Sequence, residues 1–87
     1  MIATFVLTVR CVDRPGLVSS VSTHVHQCGG DITEAHQFND REAGRFFMRI
    51  AFDVSEASFD VADLGKRMDS VGELEWIMRP AVQKSAP

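Results

Sequence analysis

The chain has 87 residues, enough for one domain with a single modest core. A chain of this size buries roughly 60–65% of its unfolded surface, which excludes a large enclosed active site. Its formal charge of −3, with Lys and Arg scattered rather than clustered, argues against a nucleic-acid footprint and against binding to an anionic membrane. No apolar run approaches the roughly 18 residues of a membrane span. Arg10 and Asp13 interrupt the apolar beginning too early for a signal peptide, and two cysteines without an export signal point to a cytoplasmic setting with Cys11 and Cys28 as free thiols.

Phe5, Leu7, Val9 and Cys11 alternate with Thr4, Val6, Thr8 and Arg10, the period of two of a strand. Asp13-Arg14-Pro15-Gly16-Leu17-Val18 then turns the chain. Pro15 presets φ, Gly16 keeps its surroundings clear of a Cβ, and the free N–H groups of a helix follow. Leu17, Val21, Val25 and Cys28 form the apolar stripe of that helix, and Gly29-Gly30 ends it. Ile32, Glu34, His36 and Phe38 share one parity of a weaker second strand. After a polar turn from Asn39 to Gly44, Phe46, Met48, Ile50, Phe52 and Val54 mark the clearest strand. Ser58 is placed to cap a second helix with Asp60 near its positive end; Val61, Leu64 and Met68 are its buried stripe. Leu74, Trp76 and Met78 alternate in a final strand, and the stretch from Pro80 to Pro87 has no period. The order βαββαβ predicts an α+β, ferredoxin-like arrangement: a four-stranded antiparallel sheet with two helices on one face. The predicted core joins Phe46, Met48, Ile50, Phe52 and Trp76 to Leu17, Val21, Val25, Leu64 and Met68.

This layout, with its Asp-x-x-Gly-Leu-Val corner, resembles the ACT domain, a small regulatory module that typically binds amino acids. The Gly-Arg-Phe-Phe-Met-Arg run at 44–49 is similar to the amino-terminal ACT domain of the formyltetrahydrofolate deformylase family. The resemblance implies an ACT domain over residues 1–79, with residues 80–87 as a linker toward an absent catalytic domain that hydrolyses 10-formyltetrahydrofolate to formate and tetrahydrofolate. It assigns no catalytic residue to this chain and no cofactor. It further implies a homodimer through the second strand and first loop. Asp13, Arg14, Pro15, Gly16, Leu17 and Val18 of one copy would then face Asp31, Ile32 and Thr33 of the other across an amino-acid effector site. A carboxylate there suits an ammonium group, and helix N–H groups suit a carboxylate. The alternative is a standalone ACT-like interaction or transcription-regulatory protein resembling glycine cleavage repressors.

The remaining chemical groups read as structural. His24 and Cys28 stand at i, i+4, a spacing compatible with two metal ligands, but two ligands do not close a site, and Cys28 fits the apolar stripe. No metal site is expected. Cys11 has no neighbouring base in sequence and reads as a packed thiol. Glu56, Asp60, Asp63 and Asp69 read as a solvated helix face. RNA binding through sheet aromatics is disfavoured, since only Phe47 is left for the open face. Phe47, Ile77 and Val6 there suggest an apolar patch for another domain or copy.

Overall fold

The computed structural model describes residues 1–81. Six elements follow one another: β1 (Ile2–Val12), α1 (Leu17–Gln27), β2 (Asp31–Asp40), β3 (Arg45–Ser55), α2 (Val61–Val71) and β4 (Leu74–Pro80). The sheet order is β2-β3-β1-β4 with every neighbour antiparallel, the split βαβ arrangement that the period changes predict. Both helices lie on one face.

The alternation in β1 and β3 decides which face that is. Phe5 pairs with Phe52, Leu7 with Ile50, Val9 with Met48 and Cys11 with Phe46, so the apolar residues of both central strands point toward the helices. Leu17, Val21 and Val25 from α1 and Leu64 and Met68 from α2 close over them, all at 3% exposure or less. Gly30 begins the return from α1 to the sheet: its N–H donates to the Val25 carbonyl at 2.9 Å, satisfying one of the helix's terminal acceptors.

Four details differ from the sequence reading. The cap of α2 is Asp60, not Ser58. The Asp60 backbone is extended and its Oδ1 accepts from the N–H groups of Ala62 at 2.9 Å and Asp63 at 3.3 Å, whereas the Ser58 N–H closes a turn onto the Ser55 carbonyl. Trp76 is only partly buried: β4 is an edge strand, so the indole packs over Gly65 with its rim near solvent and donates its N–H to Asp69 at 3.0 Å. In β2, Ile32 pairs with Phe52 but Glu34 with Ala51, so Thr33 is a bulge. The single parity expected for Ile32, Glu34, His36 and Phe38 is therefore split. Ile32 joins the helix side, while Glu34, His36 and Phe38 stand on the open face. The sheet also takes in Pro80, where the sequence had the tail begin; Phe5 pairs with Pro80 and the Ala81 N–H reaches the Thr4 carbonyl. The rest of that tail, residues 82–87, lies outside the described residues.

Candidate effector site

The corner after β1 is built from the backbone outward. The Asp13 N–H donates to the Gly44 carbonyl at 2.8 Å, anchoring the corner to the β2–β3 turn. Gly16 sits at the amino-terminal cap of α1 with φ 84°, in the left-handed region where a Cβ would be strained. Its carbonyl accepts the first helical bond, from the Ser20 N–H at 2.9 Å. No side chain caps α1 and no acidic residue lies in its first turn, so the partial positive charge of this helix end is not neutralised locally.

The predicted site residues separate into roles. The Asp13 carboxylate is exposed and accepts from the Asn39 side-chain amide at 3.0 Å, which links the corner to the far end of β2. Arg14 turns away from Asp13. Its guanidinium donates to the Val71 and Gly72 carbonyls at the end of α2 and lies 3.9 Å from Glu73, so it clamps the corner to the α2–β4 junction. Leu17 belongs to the core, Val18 is exposed, and Pro15 and Gly16 border a cavity of about 310 Å³ with Ser20, His24 and Ser70. Among the described residues the His24 Nδ1 is buried there without a partner. Asp31, Ile32 and Thr33 are elsewhere. Asp31 pairs with Asp53, at the opposite end of β3 from Arg45 and the corner, on the order of 30 Å away along the strands. Within one chain the two halves of the predicted site do not meet.

Titratable groups elsewhere carry no reactive pattern. Burial pushes the Cys11 thiol above its ordinary value, with Arg14 and Arg45 opposing weakly, so it is a packed thiol rather than a thiolate. Burial likewise raises Cys28, whose sulfur points across to Asp63 at 3.6 Å rather than toward His24. Among the described residues no group of three or more His, Cys, Asp or Glu side chains is placed to hold a metal. His36 Nε2 lies 2.7 Å from Glu34 Oε1 on the open face; that hydrogen bond holds the Glu34 carboxyl below its usual range. The sequence reading missed Asn39 and Arg14's clamp, because both depend on contacts 26 to 58 residues away. No helix among the described residues is long and apolar enough to cross a membrane.

Over 68 residues, 77% of its length, the chain is 41% identical to formyltetrahydrofolate deformylase of Bacillus subtilis (strain 168). A formyltetrahydrofolate deformylase structure from Pseudomonas syringae pv. tomato superposes on 97% of the chain with a TM-score of 0.76 and 30% identity. The chain is an ACT domain of the formyltetrahydrofolate deformylase type. This ACT domain spans 23% of the length of the B. subtilis enzyme and 29% of the P. syringae chain. An ACT domain protein from Streptococcus pneumoniae shares the fold, with a TM-score of 0.71 at 20% identity over 90% of this chain and 89% of that one. No protein-family model matches the chain.

Proposed function

We infer that this ACT domain senses a small zwitterionic amino acid between two copies of itself, and so regulates a longer enzyme that hydrolyses 10-formyltetrahydrofolate to formate and tetrahydrofolate. The observation that carries the reading is the state of β2. From Thr33 to Asn39 this strand is exposed on both faces, and it lies at the sheet edge with its outer backbone groups unpaired. An edge of this length invites a second strand. Antiparallel pairing of two β2 strands about a dyad would carry the partner's Asp31 to the Asp40 end, where Asn39 already touches Asp13. The two separated halves of the site would then face each other. The ligand carboxylate would meet the uncapped N–H groups of α1, and its ammonium would meet Asp13 and the partner's Asp31. Binding to the paired form alone would shift the assembly equilibrium, the coupling that regulation requires. Formyl hydrolysis belongs, in this reading, to the part of the enzyme beyond this domain.

Sedimentation of the chain, alone and with Ala35→Lys, tests the pairing; the substitution sets like charges beside one another near the dyad. Calorimetry against a panel of amino acids, repeated with Asp13→Ala, tests the sensing. A parent chain that stays monomeric at high micromolar concentration refutes the assembly. A dimer that binds no amino acid leaves the corner a structural turn.

A further inference from the structure

The two helices run antiparallel over the sheet, and they are joined unevenly. At one end the Arg67 guanidinium donates to the Gln27 side-chain oxygen at 2.8 Å, and the Cys28 sulfur reaches Asp63 at 3.6 Å. At the other end, where α1 begins and α2 stops, the bordering residues include the small Gly16 and Ser20 of the α1 side and Ser70 of α2. The gap they leave is the cavity of about 310 Å³, with the room of about ten waters. That volume stands at the lower end of the roughly 300–1,000 Å³ of small-molecule sites.

Polar groups from both helices reach this space. Arg14 uses Nη2 on the Val71 and Gly72 carbonyls, which leaves Nη1 and Nε to donate; Nη1 stands 3.9 Å from the exposed Glu73. Ser20 adds a hydroxyl, and His24 lies one turn further along the same side of α1. The His24 Nδ1 is buried with no partner among the described residues. An orphaned N–H costs more than an orphaned lone pair, so the proton belongs on Nε2, which then donates. Ser70 is the complement: its hydroxyl donates to the Arg67 carbonyl at 2.6 Å, so toward the cavity it accepts. The field favours an anion. Among the described residues no carboxylate borders the cavity. Arg14 covers the negative end of α2, whereas the positive end of α1 has neither a side-chain cap nor an acidic residue in its first turn.

We propose that this interhelical cavity binds a small oxyanion with a hydroxyl group beside it, of the kind found in short hydroxycarboxylates and in phosphate esters of short polyols. Arg14, Ser20 and His24 donate to the anionic group, and the ligand hydroxyl donates to Ser70. The site goes beyond the effector reading. It lies on the α2 side of α1, whereas Asp13 reaches Asn39 on the β2 side, and it needs neither a second chain nor an ammonium group.

Amide-shift NMR titrations of the 87-residue chain with glycolate, acetate, glycerol 3-phosphate and inorganic phosphate decide the matter. Saturable shifts should centre on Ser20, His24 and Ser70. Glycolate should bind at least threefold tighter than acetate, or glycerol 3-phosphate at least threefold tighter than phosphate, and the pair that shows the preference tells carboxylate from phosphate. Ser70→Ala should abolish the preference, and Ser20→Leu, which fills the cavity, should raise the dissociation constant at least tenfold; circular dichroism melts show whether each variant is folded. Should Ser20→Leu not fold, the conservative Ser70→Ala still decides. Ala35→Lys, which opposes the edge pairing, should leave the titration unchanged. Shifts that do not saturate, equal affinity for plain and hydroxylated probes, a preference that survives Ser70→Ala, or binding indifferent to a folded Ser20→Leu each refutes the proposal and leaves the effector reading intact. Binding that is lost in Ala35→Lys also refutes it and assigns the anion to the interchain site.

Discussion

Replacing Gly30 by Ala tests how tightly α1 is seated on the sheet. A Cβ built on Gly30 would lie 2.6 Å from Val25 Cγ1, 2.9 Å from the Val25 carbonyl oxygen and 3.0 Å from Phe52 Cδ2. None of these can step aside easily. A valine in a helix is held to one rotamer, the carbonyl belongs to the last turn and accepts the Gly30 N–H, and Phe52 is fully buried. Overpacking of this kind costs about 1–3 kcal/mol. Restricting the unfolded chain offsets about 0.4–1 kcal/mol of it, leaving a net loss on the order of 1–2 kcal/mol. For a domain of this size each kcal/mol lowers Tm by roughly 4–8 °C, so calorimetric melts should show a fall of about 5–15 °C. Adding Val25→Ala should give a double variant that loses less than the sum of the single losses, because one obstructing methyl is gone. Gly29→Ala is the control: nothing lies within 4 Å of its Cβ, and its cost of about 1–2 kcal/mol comes from φ 87° and not from contact. A Gly30→Ala melt within about 2 °C of the parent would refute the close approach.

Phe52→Ala removes a fully buried ring that stacks on Phe5 at 6.1 Å and meets Phe59 edge-on at 6.0 Å. It should cost about 3–5 kcal/mol in urea titration, a large part of the roughly 4–13 kcal/mol expected for a chain of this length; a loss under about 1 kcal/mol would exclude Phe52 from the core. Asp60→Ala should destabilise by about 1 kcal/mol while Ser58→Ala changes little, and the opposite ranking would mean that Ser58 caps α2. Burial raises the Cys11 thiol above 9.0, so the folded state holds that proton more tightly than the unfolded one. Its contribution is complete below the unfolded value and is lost as pH rises through the raised folded value. The fall in Tm from pH 8 to about pH 10.5 should therefore be shallower in Cys11→Val, with Cys28, raised the same way, supplying what remains.

The fold was legible because its four best-patterned elements bury one face each. Leu7 and Val9, or Ile50 and Phe52, must share a side once the strand period is two, and the corner and glycine pair mark where that period ends. Trp76 followed the same rule and misled, since parity names a face and not a depth, and depth at an edge strand depends on how far α2 reaches. Asp60 and Ser58 are both capping residues, and which one caps is decided by the Ser55–Ser58 turn, a contact pattern with no periodic signature. The site was legible only in part. Gly16 and Asp13 announce themselves by type and position, but Arg14's attachment to the Val71 and Gly72 carbonyls depends on where a helix 57 residues later happens to end.

The extra residue at Thr33 makes β2 a strand with two phases. Ahead of it the even-numbered Ile32 is internal; beyond it the even-numbered Glu34, His36 and Phe38 are external. A relative that lacks this one residue would run without the bulge and keep Glu34 to Asp40 on the same faces, whereas a relative of equal length without the bulge would exchange inside for outside along all of them. Where an alignment places a single gap in this strand therefore matters more than how many of its residues match, because every position between Thr33 and a misplaced gap sets an inward residue against an outward one.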